Sequence, residues 1–253
     1  MFIDSHCHIN FPDLISDLDG VIQRMSDANV EKALCVSVST TTLPEIIKIT
    51  NSYLNIYGSA GVHPNEKEAQ EPTLETLVNL SANEKIIAIG ETGLDYFRSE
   101  GDMSWQQERF RRHIRCAKEV GKPLIVHTRE APQDTIRIMK EEGASQAGGV
   151  MHCFTESYEM AEAAINMGFM ISFSGIVTFK NATQVKEVAA KVPLNSILIE
   201  TDSPYLAPVP FRGKTNEPSF VKYVAEELAN LKNVEIDLIA SQTTDNFHRL
   251  FKV

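Results

Sequence analysis

The sequence has no run of 18 consecutive apolar residues, so it offers no stretch of the kind that crosses a bilayer as a helix. Its first residues, MFIDSHCHINF, put no basic segment ahead of an apolar one. The pattern of a secretory signal is therefore missing, and a cytoplasmic protein is expected. The four cysteines (Cys7, Cys35, Cys116 and Cys153) show no C-x-x-C spacing and read as reduced thiols, not a disulfide frame. No Gly/Ser linker, low-complexity tract or break in composition marks a boundary, so one domain over 1–253 is expected. Positive charge is also in short supply. Twenty-four basic against thirty-four acidic residues give a formal charge of −10, so no whole-molecule field draws the chain to a polyanion. A basic double-strand-binding module is excluded on that count. A nuclease that grips a few phosphates through metal ions is not, because two divalent cations add about +4 where the substrate sits.

What is present is ordinary globular material, with 43% hydrophobic and 23% charged residues, arranged with regularity. Short apolar runs occur at 1–4, 33–38, 56–61, 86–90, 123–126, 149–151, 169–173 and 197–199. They are continuous, as strands buried on both faces should be. Between them lie stretches of helical spacing. Leu14, Leu18, Val21, Ile22 and Met25 form one stripe, and 105–120 is long enough for four turns before Gly121 and Pro123 stop it. Two further helices, 218–231 and 235–251, follow the last run. Eight β/α units in about 250 residues predict an α/β fold, a single (β/α)8 TIM-type barrel with an additional C-terminal helix. A doubly wound open sheet is the alternative. Against it, the first strand leads into D-S-H-C-H where a G-x-G-x-x-G turn would be needed.

Barrel chemistry sits at the C-terminal ends of the strands, and five of the seven histidines fall there: His6, His8, His63, His127 and His152. In H-x-H the two imidazoles point to one side of the strand and Cys7 to the other. Glu91 and Asp202 add carboxylates at the ends of strands four and eight, where a buried charge must be paired or metal-bound. Four imidazoles (His6, His8, His127, His152) and two carboxylates exceed the needs of one tetrahedral zinc. They suit two cations sharing a bridging carboxylate and a bridging water. The structural alternative for Glu91 is an ion pair with Arg129 or Lys122. His63, followed by Pro64, suits the substrate or a leaving group better than a metal. His113 and His248 lie within helices and read as structural. Arg109, Arg111, Arg112 and Arg115 read as a solvated outer face. Arg212 and Lys214 lie in the long loop after the eighth strand, near where barrels bind phosphate.

The segments F-I-D-S-H-C-H-I-N (2–10), G-E-T-G-L-D-Y (90–96), P-L-I-V-H-T-R (123–129), M-H-C-F (151–154) and L-I-E-T-D-S-P-Y-L (198–206) strongly resemble the TatD-like family of metal-dependent deoxyribonucleases. The resemblance runs from Phe2 to N-F-H-R-L-F at 246–251. It implies divalent-metal-dependent hydrolysis of DNA phosphodiester bonds, as an exonuclease on single strands or frayed ends. It also implies that His6, His8, Glu91 and Asp202 surround one ion, that Glu91 reaches a second with His127 and His152, and that His63 lies near the substrate phosphate. Gln133 departs from the family pattern, which commonly has an acidic residue there.

The mechanism expected is two-metal hydrolysis with Glu91 as bridging ligand. Asp202 would orient the water or take its proton, and His63 or Arg129 would stabilise developing charge. Arg129, Arg212 and Lys214 are the candidate phosphate contacts. Magnesium, manganese and zinc all fit the donor set. The competing reading is an amidohydrolase or esterase that uses the same pocket on a small metabolite. Neither reading implies a membrane or a stable protein partner.

Overall fold

The computed structural model describes residues 1–67 and 70–253. The strands are β1 (Phe2–Cys7), β2 (Val30–Cys35), β3 (Ile56–Ala60), β4 (Ile86–Asp95), β5 (Leu124–Arg129), β6 (Gly149–Met151), β7 (Phe169–Phe173) and β8 (Ile197–Ile199). After β1 come α1 (Pro12–Ile15) and α2 (Leu18–Asp27), and after β2 comes α3 (Leu43–Ser52). Single helices then alternate with strands: α4 (Leu74–Leu80), α5 (Ser104–Val120), α6 (Pro132–Glu141), α7 (Tyr158–Ile165) and α8 (Thr183–Lys191). Following β8 are α9 (Val221–Lys232) and α10 (Ile236–Phe251). All eight strands belong to one sheet and follow one another in sequence order, β1 to β8. This is the strand order of a (β/α)8 barrel with a helix added at its C-terminal end, as the sequence predicts.

The chain divides into two compact units, taken here in turn. The first comprises Met1–Cys35, Cys153–Ala161 and Ile171–Val253. In it β1 runs parallel to β2, with Phe2 opposite Val30 and Asp4 opposite Ala33, and β7 runs parallel to β8, with Ile171 opposite Ile197. The segment after β8 is stitched to β1. Asp202 N–H donates to the His6 carbonyl (2.9 Å), His8 N–H donates to the Ser203 carbonyl (2.8 Å), and Cys7 bridges to Ser203. Helix α10 packs on β1 and β8, burying Ile239 and Phe247.

The second unit comprises Val36–His152 and Glu162–Met170. Here β3, β4, β5 and β6 pair parallel in order. All ten residues of β4 are buried, which a strand covered on both faces requires. Gly93 is necessary for the β4–β5 approach. It has φ +139°, and a Cβ there would run into the His127 carbonyl. Helix α5 ends as expected, at Gly121 in the left-handed conformation (φ 67°).

Candidate metal centre

In the first unit the end of β1 and the segment after β8 bring three candidate ligands together. His6 Nε2 and His8 Nε2 are 3.2 Å apart, and Asp202 Oδ1 lies 3.7 Å from the first and 3.5 Å from the second. The H-x-H spacing therefore aims both imidazoles at one point. Asp202 holds a left-handed backbone (φ 57°), uncommon for any residue but glycine and less costly for Asp than for most. The conformation is fixed by its neighbours. Asp4 Oδ1 accepts Thr201 N–H (2.9 Å), and Asp4 Oδ2 accepts the Thr201 hydroxyl (2.6 Å). Burial pushes the Asp4 carboxyl up to about 8, with those hydrogen bonds opposing it. Glu200, also buried, accepts Cys153 N–H (2.8 Å) and so ties the residue after His152 to the end of β8.

In the second unit the ends of β3 to β6 converge on one carboxylate oxygen. Glu91 Oε1 has His152 Nε2 at 2.8 Å, His127 Nδ1 at 3.0 Å and His63 Nε2 at 3.3 Å. Burial by itself would push Glu91 up. Interactions with the His152 and His63 imidazoles, together with hydrogen bonds from His127 and His152, outweigh it and hold the carboxyl well below its usual range. Glu91 is thus kept anionic inside the protein. The alternative partners do not reach it: Lys122 donates to the Ser81, Asn83 and Ile86 carbonyls, and Arg129 lies over the Phe97 ring.

Two of these imidazoles are oriented by partners that the sequence did not flag. Asp95, the last residue of β4, accepts from His127 Nε2 (3.1 Å), Asn65 Nδ2 (2.8 Å) and Arg98 N–H (2.9 Å). Burial opposes ionisation of Asp95, but these bonds hold it below its ordinary pKa. With the Nε2 proton directed to Asp95, Nδ1 is the His127 nitrogen turned to Glu91, the arrangement common to metal-ligating histidines. His63 has the opposite disposition. Its Nδ1 accepts Asn65 N–H (3.0 Å), so in the neutral ring Nε2 carries the proton and faces Glu91 as a donor. Burial, acting first, lowers the His63 pKa and favours that neutral ring.

The turn bearing His63 is braced from α5. Arg109 is 1% exposed, which corrects the expectation of an outward-facing basic helix. Its guanidinium donates to the His63 carbonyl (2.8 Å), the Glu66 carbonyl (2.9 Å) and Glu71. Arg111 and Arg115 do face outward, paired with Glu141 and Glu142. His113 accepts Val62 N–H at Nε2 (3.1 Å) and donates from Nδ1 to the Arg109 carbonyl (2.8 Å). It is the structural histidine expected.

Burial pushes His113 down to about 4, against about 6.5 in an unfolded chain. The stability this neutral histidine contributes is therefore present above about pH 6.5 and lost as the pH falls toward about 4, at most ~3 kcal/mol. His113→Gln, which keeps an acceptor but takes up no proton, is expected to be less stable at pH 7 and to lose ~2 kcal/mol less than the parent between pH 7 and 4.5. Urea unfolding at both pH values checks this, and equal losses in the two proteins would contradict it.

The donor sets fit a divalent ion. At metal–ligand distances of about 2.0–2.2 Å, adjacent ligands in a tetrahedral or octahedral shell lie about 2.8–3.6 Å apart. The separations among His6, His8 and Asp202 are 3.2–3.7 Å, and those around Glu91 are 2.8–3.3 Å. Nitrogen with carboxylate oxygen suits zinc and manganese and admits magnesium. Of the expected substrate contacts, Arg129 is half-buried at the end of β5, while Arg212 and Lys214 are exposed after β8. Arg212 lies 3.8 Å from the centroid of Phe179, and Lys214 lies 5.7 Å from that of Phe211. None of the three makes an ion pair among the described residues.

Comparison with known proteins agrees with this chemistry. The family model described as TatD related DNase matches residues 3–252. The chain is 46% identical to YabD of Bacillus subtilis, an uncharacterized metal-dependent hydrolase, over 100% of both chains. It is likewise 46% identical to the uncharacterized metal-dependent hydrolase YcfH of Escherichia coli K12, covering 99% of this chain and 96% of that one. Among solved structures, the TatD homolog YjjV of Escherichia coli K12 superimposes with a TM-score of 0.93 at 31% identity, over 100% of this chain and 98% of that one. No helix among the described residues is long and apolar enough to cross a membrane.

Proposed function

Because the chain belongs to the family of TatD-related DNases and is a metal-dependent hydrolase, we propose that it hydrolyses phosphodiester bonds of DNA, working inward from single-stranded or frayed ends, with two divalent ions. The observation that carries the proposal is the pair of donor clusters, largely buried and each mixing imidazole with carboxylate: His6, His8 and Asp202 for one ion, and Glu91, His127 and His152 for the other. The sharing of Glu91 by both ions, which the family resemblance implies, is kept as part of the proposal, as is a single hydrolase domain over 1–253. Bound divalent ions would supply Lewis-acid activation of water and neutralise charge on the phosphate oxygens.

The remaining work falls to the chain's own groups. Asp202 accepts the proton of the attacking water, a task open to a carboxylate that is partly solvent-accessible and beside two imidazoles. His63, with its proton fixed on Nε2 by the Asn65 backbone, donates to a phosphoryl or leaving oxygen. Arg129, Arg212 and Lys214 neutralise flanking phosphates. Because these cations are few on a chain of charge −10, affinity rests on a handful of contacts and favours ends over long duplex.

The test compares a 5′- or 3′-labelled single strand, bis-p-nitrophenyl phosphate and a cyclic amide, each with magnesium, manganese or zinc. The proposal expects stepwise, metal-dependent shortening of the strand and loss of activity with chelator. Turnover of the amide with no cleavage of either phosphodiester would replace it with the amidohydrolase reading.

A further inference from the structure

Phe97 is a large apolar side chain left 55% exposed in the turn that follows β4. The turn is not loose. Arg98 N–H donates to Asp95 Oδ1 (2.9 Å), Tyr96 N–H donates to the Arg129 carbonyl (3.0 Å), and the Tyr96 hydroxyl donates to Asp134 (2.7 Å). Asp95 stands opposite Arg129 in the β4–β5 ladder, so strand register sets where Phe97 and Arg129 meet. The Arg129 guanidinium lies 3.8 Å from the centroid of the Phe97 ring. His127 and Arg129 are alternate residues of β5 and project to the same side, so this stacked pair stands beside the Glu91 cluster.

A fixed, half-exposed aromatic ring with a guanidinium on one face has little structural purpose, because burying it would stabilise the fold more than exposing it does. It has a ready chemical one. Every nucleobase has a π-face, and aromatic rings beside cations are how proteins hold single strands without reading sequence. Arg129, without an ion pair among the described residues, lies over the ring and can meet a phosphate with two parallel N–H donors. The same pairing recurs in the other unit, where Arg212 lies 3.8 Å from the centroid of Phe179.

We propose that Phe97 and Arg129 form a base-stacking subsite for single-stranded DNA, in which Phe97 stacks on the base next to the scissile bond while Arg129 holds that nucleotide's phosphate. The subsite rests on the DNA reading above and adds to it a platform that tolerates any base and demands an unpaired one.

The test uses two oligothymidylates, one with ordinary bases throughout and one with an abasic site beside the cleaved bond. The readout is the ratio of kcat/KM for the two. Phe97→Ala should lower that ratio by roughly 5- to 100-fold, the range expected for one stacked base, and Phe97→Trp should restore it. A ratio equal to that of the parent in Phe97→Ala would overturn the subsite while leaving DNA hydrolysis in place. A parent protein that cleaves neither strand would overturn both.

Discussion

Replacing Glu91 with Gln is expected to lower kcat on any substrate of this protein by ~10³-fold or more. On the two-ion proposal, bound divalent ions would contribute several kcal/mol of charge stabilisation in the transition state, and each 1.36 kcal/mol is tenfold in rate, so forfeiting about 4 kcal/mol accounts for that loss. Glutamine keeps the volume and one oxygen but removes the negative charge on which three imidazole nitrogens converge within 3.3 Å. Its NH2 group would also face those nitrogens with the wrong polarity wherever they carry protons. The fold itself should survive, since β4 is held by its ladder to β3 and β5. Turnover at saturating metal, with circular dichroism as the control for folding, checks the expectation. A folded Glu91→Gln protein with more than a tenth of the parental rate would contradict it.

Asp202→Asn is expected to reduce kcat by roughly 10²–10⁴-fold, the range for loss of a positioned proton acceptor. The substitution is sterically mild. Asn tolerates the left-handed backbone that Asp202 adopts, and the Thr201 bonds to Asp4 that hold this segment do not involve the Asp202 side chain. Asparagine retains an oxygen near His6 and His8 but cannot take a proton from water, so ions should still bind with reduced affinity while the chemical step fails. The pH profile separates the two effects. The limb of kcat that reports the acceptor in the parent should be missing from the variant at saturating metal. If the profile keeps its shape and activity recovers fully with added metal, Asp202 is a ligand only.

Much of this was legible in the sequence for a physical reason. Strands covered on both faces must be continuously apolar, and all eight runs overlap strands, although β2 lies at Val30–Cys35 and not at 33–38, since its first residues include the polar Glu31 and Lys32. Their ends were not so clear. β1, β4 and β5 continue three to five residues beyond the apolar run, into polar residues that include His6 and Glu91, which are buried, and His127, which is partly buried. Hydropathy cannot see a ladder that continues through ligands. H-x-H and the motif histidines pointed to the site because their spacing is local.

Asp4, Asp95, Asn65, Glu200 and Arg109 were missed because their meaning is nonlocal. Asp4 matters through Thr201, 197 residues away. Arg109 matters through the His63 carbonyl, 46 residues away. A charged residue in a helix is read as outward-facing unless something shows that its five donors are met inside. Only the fold shows that the Arg109 donors reach the His63 and Glu66 carbonyls and Glu71.

The central claim is that two donor clusters hold two ions, and metal counting tests it most directly. Protein stripped with chelator, reloaded with zinc or manganese and freed of excess should carry about two ions per chain by elemental analysis. The His127→Ala/His152→Ala double variant should keep about one, held by His6, His8 and Asp202. A parental value that stays at one under every loading condition, with no further loss in the double variant, would contradict the account.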